Sequence, residues 1–233
     1  MLSINCDLGE KGIADPIDNK ILKYIDIANI ACGGHAGNKQ SVDYYTKLCQ
    51  LNNIKTTAHI SYPDTDNFGR KVMQIKKSLL IKSFDKQISL FNDIKSIKPH
   101  GALYNELNVN KKLSQIFIHW CMHNSINELI LSPNSVVIDY AQQQNIRVIT
   151  ESFIDRGYML DNNGNPTLIP RGETNAEITD VNQAISQYLE LNKGKITTTQ
   201  GSKNMVTETA CIHSDSKIAL DIAIAISKKS VYE

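Results

Sequence analysis

Three histidines of this chain occur in the same kind of place in the sequence. Each follows a short apolar segment of strand length, each opens a polar turn that contains glycine, and a helix-like stretch comes after each turn. Because parallel α/β folds bring the carboxyl ends of their strands together in one crevice, histidines far apart in sequence are expected to share a pocket. Imidazole exchanges protons near neutral pH, so the pattern indicates an enzyme. The three residues are His35, His59 and His100.

Carboxylates occupy the ends of further predicted strands. Asp7 and Glu10 follow the first strand, and Asp155, beside Arg156, follows a later one. Carboxylates that converge with histidines suit proton transfer, because burial and neighbouring charges tune their pKa values. The alternative for Asp155 and Arg156 is a purely structural ion pair.

Two basic residues could bind an anionic substrate. Lys98 opens the densest polar motif of the chain and could hold a carboxylate or phosphate, while Gly101 lets the backbone turn sharply there. The guanidinium of Arg70 matches a carboxylate in bidentate fashion. The alternatives are a solvated surface turn for Lys98 and, for Arg70, a surface pair with Asp64 or Asp66 that would contribute little.

Nucleophilic and metal chemistry have weaker support. Cys32 and His35 could form a nucleophile pair, although such a cysteine is more often a small buried apolar residue. Asp7 with two or three histidines could bind a divalent metal, but no HExxH or HxH pattern is present, so we predict no metal ligand. His119 and His123 lie four residues apart on a predicted outer helix, which favours a solvated or packed face.

The composition argues against several classes of protein. Lys and Arg number 25 against 24 Asp and Glu, a formal charge of +1, and no basic run stands out, so no nucleic-acid partner is expected. No apolar run approaches the roughly 20 residues that a membrane span needs, and no signal peptide is recognised. The five cysteines form no CxxC pair, which favours a reducing cytoplasm over a disulfide framework.

Strand-like and helix-like segments alternate about seven times along the chain. Such alternation with short crossovers predicts a parallel sheet with helices outside, and seven or eight units in 233 residues favour a closed barrel over an open sheet. We therefore predict an α/β fold, a single-domain TIM-like (β/α) barrel of about seven parallel strands over residues 1–233.

Particular elements follow from periodicity and turn residues. Apolar spacing predicts a helix over Ser78–Ile94, and Asp18 and Asp180 are expected to be helix N-caps. The turn cluster Asp161–Gly164 predicts a hairpin excursion. A final strand is predicted over Met205–Ile212.

Taken together and in order, the polar motifs resemble the LamB/YcsF family over nearly the whole chain. The segments that carry the resemblance are Asn5–Glu10, Ala28–Gly33, His35–Gly37, Ala58–His59, Tyr62–Asp64, Phe68–Arg70, Lys98–Asn105, Phe153 with Asp155–Arg156 and Tyr158, Pro170–Arg171, and Cys211–His213 with Asp215. The chain departs from the family pattern at flanking positions that bear on pocket shape: Gly34, Lys39, Ile60, Lys71 and Ser214.

The resemblance implies a β/α barrel akin to glycoside hydrolases and deacetylases. It also implies ATP-dependent opening of 5-oxoproline (pyroglutamate) to glutamate by a 5-oxoprolinase, in which a chain of this kind, the A component, works with subunits B and C. Because no GxxxxGK[ST] phosphate loop occurs in the sequence, ATP is expected to be bound with or by the partner subunits.

The same resemblance suggests roles for the motif residues. Six are candidates for catalysis: Asp7 with His35 or His59 as general base, Lys98 and His100 to stabilise developing charge, and Asp155 to orient a base. Candidate substrate-binding residues, among which Arg70 or Arg156 would hold a carboxylate, are Asn5, Glu10, Asn29, Arg70, Tyr104, Asn105, Arg156, Arg171 and His213.

Two other functions remain open at this point. A stand-alone metal-dependent amidohydrolase or deacetylase on the same barrel would contain stoichiometric metal. A non-catalytic component that only binds partners would leave turnover of 5-oxoproline to those partners.

Overall fold

Strands and helices alternate along residues 1–230, the part of the chain that the computed structural model describes. The strands are β1 (Ser3–Leu8), β2 (Ile27–Ala31), β3 (Lys55–Ile60), β4 (Ser96–Pro99), β5 (Glu128–Leu131), β6 (Arg147–Phe153), β7 (Tyr158–Leu160), β8 (Pro166–Leu168), β9 (Lys195–Thr198), β10 (Gly201–Asn204) and β11 (Thr209–His213). The helices are α1 (Pro16–Ile21), α2 (Lys39–Leu51), α3 (Lys77–Ile88), α4 (Gly101–Val109), α5 (Lys111–His123), α6 (Ile138–Gln143), α7 (Val181–Asn192) and α8 (Ala219–Ser230), and a 3₁₀ turn, Leu22–Tyr24, follows α1.

Seven parallel strands of the described residues close a barrel in the order β1-β11-β6-β5-β4-β3-β2. The first strand is hydrogen-bonded to β2 on one side and to β11 on the other, so the two ends of the described chain meet at one seam. The remaining strands form two antiparallel hairpins outside the barrel, β7 with β8 and β9 with β10. The predicted β/α barrel and the predicted hairpin excursion are confirmed.

The barrel interior is apolar at one end and polar at the other. Alternate residues of a strand face the interior. Near the starts of their strands or at mid-strand, Ile27, Ile130 and Ile149 form a separate buried apolar cluster. Two residues further along, the interior positions become polar, with Asn29 after Ile27 and Glu151 after Ile149, and both polar residues are buried. Polar groups therefore gather toward the carboxyl ends of the strands.

The helices cover the outside of the barrel with their apolar faces. Helix α2 buries Val42, Tyr45 and Cys49, and α5 buries Phe117 and Trp120. Each such side chain contributes roughly 1.5–3 kcal/mol of burial free energy before its entropy cost is counted. Within residues 1–230, none of the helices is at once long enough and apolar enough to cross a membrane.

The segment before the last barrel strand differs from the sequence prediction. The sequence predicts a strand over Met205–Ile212, but the barrel strand β11 begins only at Thr209, which pairs with Ser3 of β1. Before it, Thr198 pairs with Gly201 in the β9–β10 hairpin, and the whole of β10 is exposed. The hairpin strand β10 was not predicted, because it lacks the buried face by which a barrel strand is recognised in a sequence.

Two helices also differ from expectation. Helix α3 ends at Ile88, six residues before the predicted end, although Phe91 is buried and Ile94 packs against the core beyond it. Apolar spacing continues past the helix because the turn that leads into β4 is itself packed. Helix α4, directly after His100, is not among the predicted elements.

One of the two predicted helix N-caps is confirmed and the other is wrong. Asp180 is the N-cap of α7, since its side chain accepts a hydrogen bond from the Gln183 amide at 2.8 Å. The N-cap of α1 is Asp15, whose Oδ1 accepts from the Ile17 amide at 2.9 Å, so the assignment of that cap to Asp18 is wrong. The carboxylate of Asp18 is buried and accepts from the amide of Gly9, in the turn after β1.

Candidate active site

The ammonium group of Lys98 lies at the centre of the polar end of the barrel. Its Nζ is 2.8 Å from Asp7 Oδ1 and 2.8 Å from Glu151 Oε1. It also donates to Asn5 Oδ1 at 3.2 Å and contacts Cys211 Sγ at 3.0 Å. Burial would lower the pKa of Lys98, but the surrounding negative charges, Asp7 first, raise it well above its usual value. A buried charge of this kind persists only when it is paired, so Lys98 is a fixed cation.

Asp7 is surrounded by polar side chains. Its Oδ1 accepts from Asn29 Nδ2 at 2.8 Å as well as from Lys98, and its Oδ2 lies 3.3 Å from His59 Nε2. The side chain of Asn29 is fixed in turn by the Thr57 hydroxyl, at 2.6 Å. Burial would raise the pKa of Asp7, but His59 and Lys98 hold it well below its usual value. The expected role of Asp7 as general base stays a prediction.

His59 and His100 are anchored by backbone carbonyl groups. His59 Nδ1 is 3.0 Å from the Lys98 carbonyl oxygen, and His100 Nε2 is 2.9 Å from that of Phe68. The other ring nitrogens, His59 Nε2 and His100 Nδ1, face each other at 3.0 Å, with the two rings perpendicular. The turn after β3 and the end of β4 thus fix both imidazoles.

His35 completes a compact group of three imidazoles. Its ring stacks on that of His100 with the centroids 3.7 Å apart, and its Nε2 is 3.0 Å from Glu10 Oε1. Burial lowers the pKa values of His35 and His100 well below the usual value, and it raises that of Glu10. Both histidines are therefore neutral at neutral pH.

A second pair, Asp155 and His213, lies at the ends of β6 and β11. Asp155 Oδ1 is 2.8 Å from His213 Nδ1, and its Oδ2 accepts from the His213 amide at 2.9 Å. Burial opposes both charges, but each residue stabilises the other's charge, so the pKa of Asp155 is lowered and that of His213 is raised. The His213 ring stacks on Phe153 at 5.3 Å. His213 thus retains its proton to higher pH than an ordinary imidazole does.

Two arginines stand at the rim, where each has an acidic partner. Arg70 Nη2 donates to Asp215 Oδ2 at 3.1 Å, and its guanidinium lies 4.9 Å from the centre of the Phe68 ring. Arg171 Nη1 donates to Glu177 Oε1 at 2.7 Å. Both pairs are partly exposed, so solvent weakens them and an incoming carboxylate can compete for either arginine.

Arg156 is held more tightly than expected for a substrate-binding residue. Its Nε donates to the Ala176 carbonyl at 2.8 Å, and its Nη2 donates to the Ile169 carbonyl at 2.7 Å. These bonds fasten the excursion between β6 and α7 over the mouth of the barrel. Arg156 still lines the cavity beneath that excursion.

A cavity of about 480 Å³ opens at this end of the barrel. Ten of the fifteen candidates line it: Asp7, His59, Arg70, Lys98, His100, Tyr104, Asn105, Arg156, Arg171 and His213. The other five contact a lining residue. Asn5 is bonded to Lys98, Asn29 to Asp7 and Asp155 to His213. Glu10 lies 3.7 Å from His100, and the ring of His35 stacks on that of His100. Side chains from position 5 to position 213 are therefore gathered around one cavity.

Sequence reasoning missed Glu151, which is buried and paired with Lys98. A usable signal existed, because polar residues two apart recur at the ends of the barrel strands, as in Asn5 with Asp7 and Lys98 with His100. Glu151 lies in β6 two residues after the buried Ile149 and four residues before Asp155, in the same alternation of strand positions.

The structure also shows where the candidate nucleophile Cys32 and the two helix histidines, His119 and His123, lie. Cys32 is buried, its Sγ lies 3.5 Å from the His59 carbonyl oxygen, and burial raises its pKa well above the usual value, so it is not a nucleophile. His119 and His123 are exposed on α5. His119 pairs with the Tyr140 hydroxyl, at 2.9 Å. The predicted solvated face is the observed one.

Comparisons with known proteins agree with this architecture. A model of the LamB/YcsF family matches residues 2–232. The chain is 31% identical to the A component of a 5-oxoprolinase from Haemophilus influenzae and 31% identical to that from Pyrococcus abyssi, over 95% and 97% of this chain and 92% of each relative. A crystal structure of a lactam utilization protein from Thermus thermophilus superimposes with a TM-score of 0.85 at 23% identity, covering 98% of this chain and 97% of that one.

Proposed function

The chain belongs to the LamB/YcsF family, and on that premise we propose that it is the A component of a 5-oxoprolinase. The reaction would open the five-membered lactam of 5-oxoproline to give L-glutamate, with hydrolysis of ATP to ADP and phosphate. Relatives that carry this name, and that align with almost the whole chain, support the assignment.

The observation that carries the proposal is the convergence of two kinds of group on one cavity. Opening a lactam requires attack of water on a resonance-stabilised amide carbonyl and a proton for the departing nitrogen. The group of His35, His59 and His100 supplies the water-activating side, and His213, protonated beside Asp155, supplies the proton. A cavity of about 480 Å³ lies within the range usual for small-molecule sites.

Lys98 would contribute its positive charge at the bottom of the cavity rather than a hydrogen bond to the substrate, because its ammonium group is already bonded to protein groups. Its ammonium group donates to Asp7 Oδ1 and Asn5 Oδ1 and contacts Cys211 Sγ, and it forms an ion pair with Glu151. The fixed positive charge would stabilise negative charge on the lactam oxygen or on the phosphate attached to it, because it needs no reorganisation during the reaction. Arg70 or Arg171 at the rim would hold the substrate carboxylate.

ATP would be handled with the partner subunits. Phosphorylation of the lactam oxygen would make the carbonyl a better electrophile, but this chain has no phosphate loop. We assign the nucleotide step wholly or partly to subunits B and C and the hydrolytic step to this chain. If the isolated chain hydrolyses ATP in step with 5-oxoproline, that division of labour is wrong.

The test is an assay of the three-component complex with and without this chain. We expect turnover to require it, and we expect His213→Asn to lower kcat by about 10²–10⁴-fold, the usual contribution of a positioned acid or base. His123→Asn, on the exposed face of α5, is the matched control and should change nothing. Turnover by the partners alone would instead make this chain a non-catalytic component.

A further inference from the structure

The hydrogen bonds of His59 and His100 fix where their ring protons lie. His59 Nδ1 faces the Lys98 carbonyl oxygen at 3.0 Å, and His100 Nε2 faces the Phe68 carbonyl oxygen at 2.9 Å. A carbonyl oxygen only accepts, so each of these nitrogens carries the proton of its ring. In the neutral form of such a ring, the other nitrogen carries a bare lone pair.

Those two nitrogens are close neighbours. His59 Nε2 and His100 Nδ1 are 3.0 Å apart. Glu10 Oε1 lies 3.9 Å from the first and 3.7 Å from the second, and Asp7 Oδ2 lies 3.3 Å from His59 Nε2. Four electron-donating atoms thus converge, and such an arrangement is repulsive unless a metal ion or a proton lies among them.

The acidic and basic side chains around the histidines point the same way. Three carboxyl groups, those of Asp7, Glu10 and Glu151, lie near the single ammonium group of Lys98. All four side chains are no more than 8% exposed. A buried excess of carboxyl groups beside imidazole nitrogens suits a site for a divalent cation.

We propose that His59 Nε2, His100 Nδ1 and Glu10 Oε1 bind one divalent transition-metal ion. Two ligands at right angles around an ion are about 3.0 Å apart when both bonds are about 2.1 Å long, which is the observed distance between the two nitrogens. The Glu10 carboxylate would move inward by roughly an ångström or less to reach the same bond length. Two imidazoles and one carboxylate form a ligand set that leaves other coordination positions for water.

His35 belongs to the cluster but not to the ligand set. Its ring is parallel to that of His100 within 4°, at 3.7 Å, so an ion in the plane of one ring lies well out of the plane of the other. Its Nε2 instead bonds Glu10 Oε1 at 3.0 Å and orients that carboxylate. The backbone carbonyls behind His59 and His100 complete the outer shell, since ligating histidines usually donate their second N–H in this way.

This inference does not depend on the lactam reaction. The ion would lie where the proposed water activation takes place, but its binding can be measured on the isolated chain without 5-oxoproline or ATP. A chain that binds metal and does not support lactam opening would refute the proposed function alone, and the reverse result would refute the metal site alone.

The test measures metal uptake by the isolated full-length chain. After removal of metal by chelator, the protein is dialysed against Zn²⁺ or Co²⁺ and analysed by mass spectrometry for metal content and by visible absorption for bound Co²⁺. We expect about one ion per chain. The variants His59→Ala, His100→Ala and Glu10→Gln should lose it, and His123→Ala should retain it. His35→Ala should still bind one ion, about 10–100-fold more weakly, as is typical when an outer-shell partner is removed.

The competing arrangement is a proton shared between His59 and His100. It predicts no metal above the level of the His59→Ala variant and no Co²⁺ absorption band in the wild-type chain. That result overturns the proposal even if a variant fails to fold, because it is obtained on the wild type. Equal loss of binding in His35→Ala and His59→Ala would overturn the assignment of His35 to the outer shell.

Discussion

At the scale of single residues, the site is a set of buried charges that hold each other in place. Removing two charges from water costs several kcal/mol per ion, which only close partners offset. Lys98 shows this most clearly, because two carboxylates contact one ammonium group that is 2% exposed. Such an arrangement keeps each side chain in one position, which is what a reacting group requires of its surroundings.

The pair of Asp155 and His213 gives a pH dependence whose sign is determined. Because the pKa of Asp155 is lowered by folding, its contribution to stability is complete above the pKa that Asp155 has in the unfolded chain. Because the pKa of His213 is raised by folding, its contribution is complete below its unfolded pKa and is lost as the pH rises through its folded pKa. The contribution of the pair is therefore complete between about pH 4 and about pH 6.5, the two unfolded pKa values.

We expect Asp155→Asn to lower the unfolding free energy by about 1.5–3 kcal/mol within that window, since a charged hydrogen bond contributes about that much. The deficit should shrink as the pH rises through the folded pKa of His213, which lies above its ordinary value, because the wild type then loses the imidazolium proton. Urea unfolding at several pH values measures the deficit, and an NMR titration should show a lower His213 pKa in the variant. A deficit independent of pH would contradict the ion pair.

At the scale of elements, strand periodicity is the strongest guide. The segments Ile27–Ala31 and Lys55–Ala58 are recognisable as strands, and the histidines after them are correctly placed at one end of a barrel. For β2 the prediction succeeds because both faces of the strand are buried, which leaves a mostly apolar run in the sequence.

Other features have no comparable signal. Helix α4 escapes recognition because it begins directly after His100 without a side-chain cap. The role of Glu151 depends on the register between β6 and β11, where it pairs with Thr209. The lone pairs of His59 and His100 depend on carbonyl groups contributed by β4 and by a turn, and no spacing rule in the sequence brings these together.

The turn at Gly101 offers a test at this scale. Gly101 has φ +56°, and a Cβ there would lie 2.6 Å from the Gly69 carbonyl oxygen, which accepts from the Ala102 amide. Gly101→Ala is expected to cost more than the roughly 1–2 kcal/mol of a left-handed conformation alone, because the clash adds to the strain. It should also displace the neighbouring His100.

Gly164→Ala is the matched control, because Gly164 has φ +80° with nothing within 4 Å of its added Cβ. Chemical unfolding of both variants isolates the cost of the close approach from that of the backbone conformation. The NMR signal of His100 reports its displacement. Equal losses of stability in the two variants would mean that the contact between Gly101 and Gly69 is not tight.

At the scale of the whole molecule, the barrel is covered at its open end by a separate segment, residues 157–178, which we call the roof. The barrel strands are joined edge to edge around the ring, whereas residues 157–178 form an excursion over its open end. Much of that excursion is exposed, and it contains the β7–β8 hairpin and Arg171. Elements with few buried contacts open at lower free energy than the core, so roof and barrel are expected to differ in stability.

Arg156 is one of the links between the two parts. It donates to the carbonyls of Ala176 and Ile169, and the neighbouring Gly157 amide donates to the same Ala176 carbonyl. We expect Arg156→Ala to speed hydrogen exchange across residues 157–178 by about tenfold or more, because each lost hydrogen bond from a charged group is worth about 1.5–3 kcal/mol. Exchange in β1 to β6 should change little, because the barrel does not depend on the roof.

Arg147→Ala, which removes an exposed arginine paired with Glu208, is the matched control and should leave the roof unchanged. Hydrogen exchange followed by mass spectrometry resolves the two regions. Uniform loss of protection in Arg156→Ala would show that roof and barrel unfold together. Unchanged protection would leave Arg156 free for the substrate carboxylate, as the sequence alone suggests. A local effect would mean instead that Arg156 serves the site by holding closed the mouth through which the substrate enters.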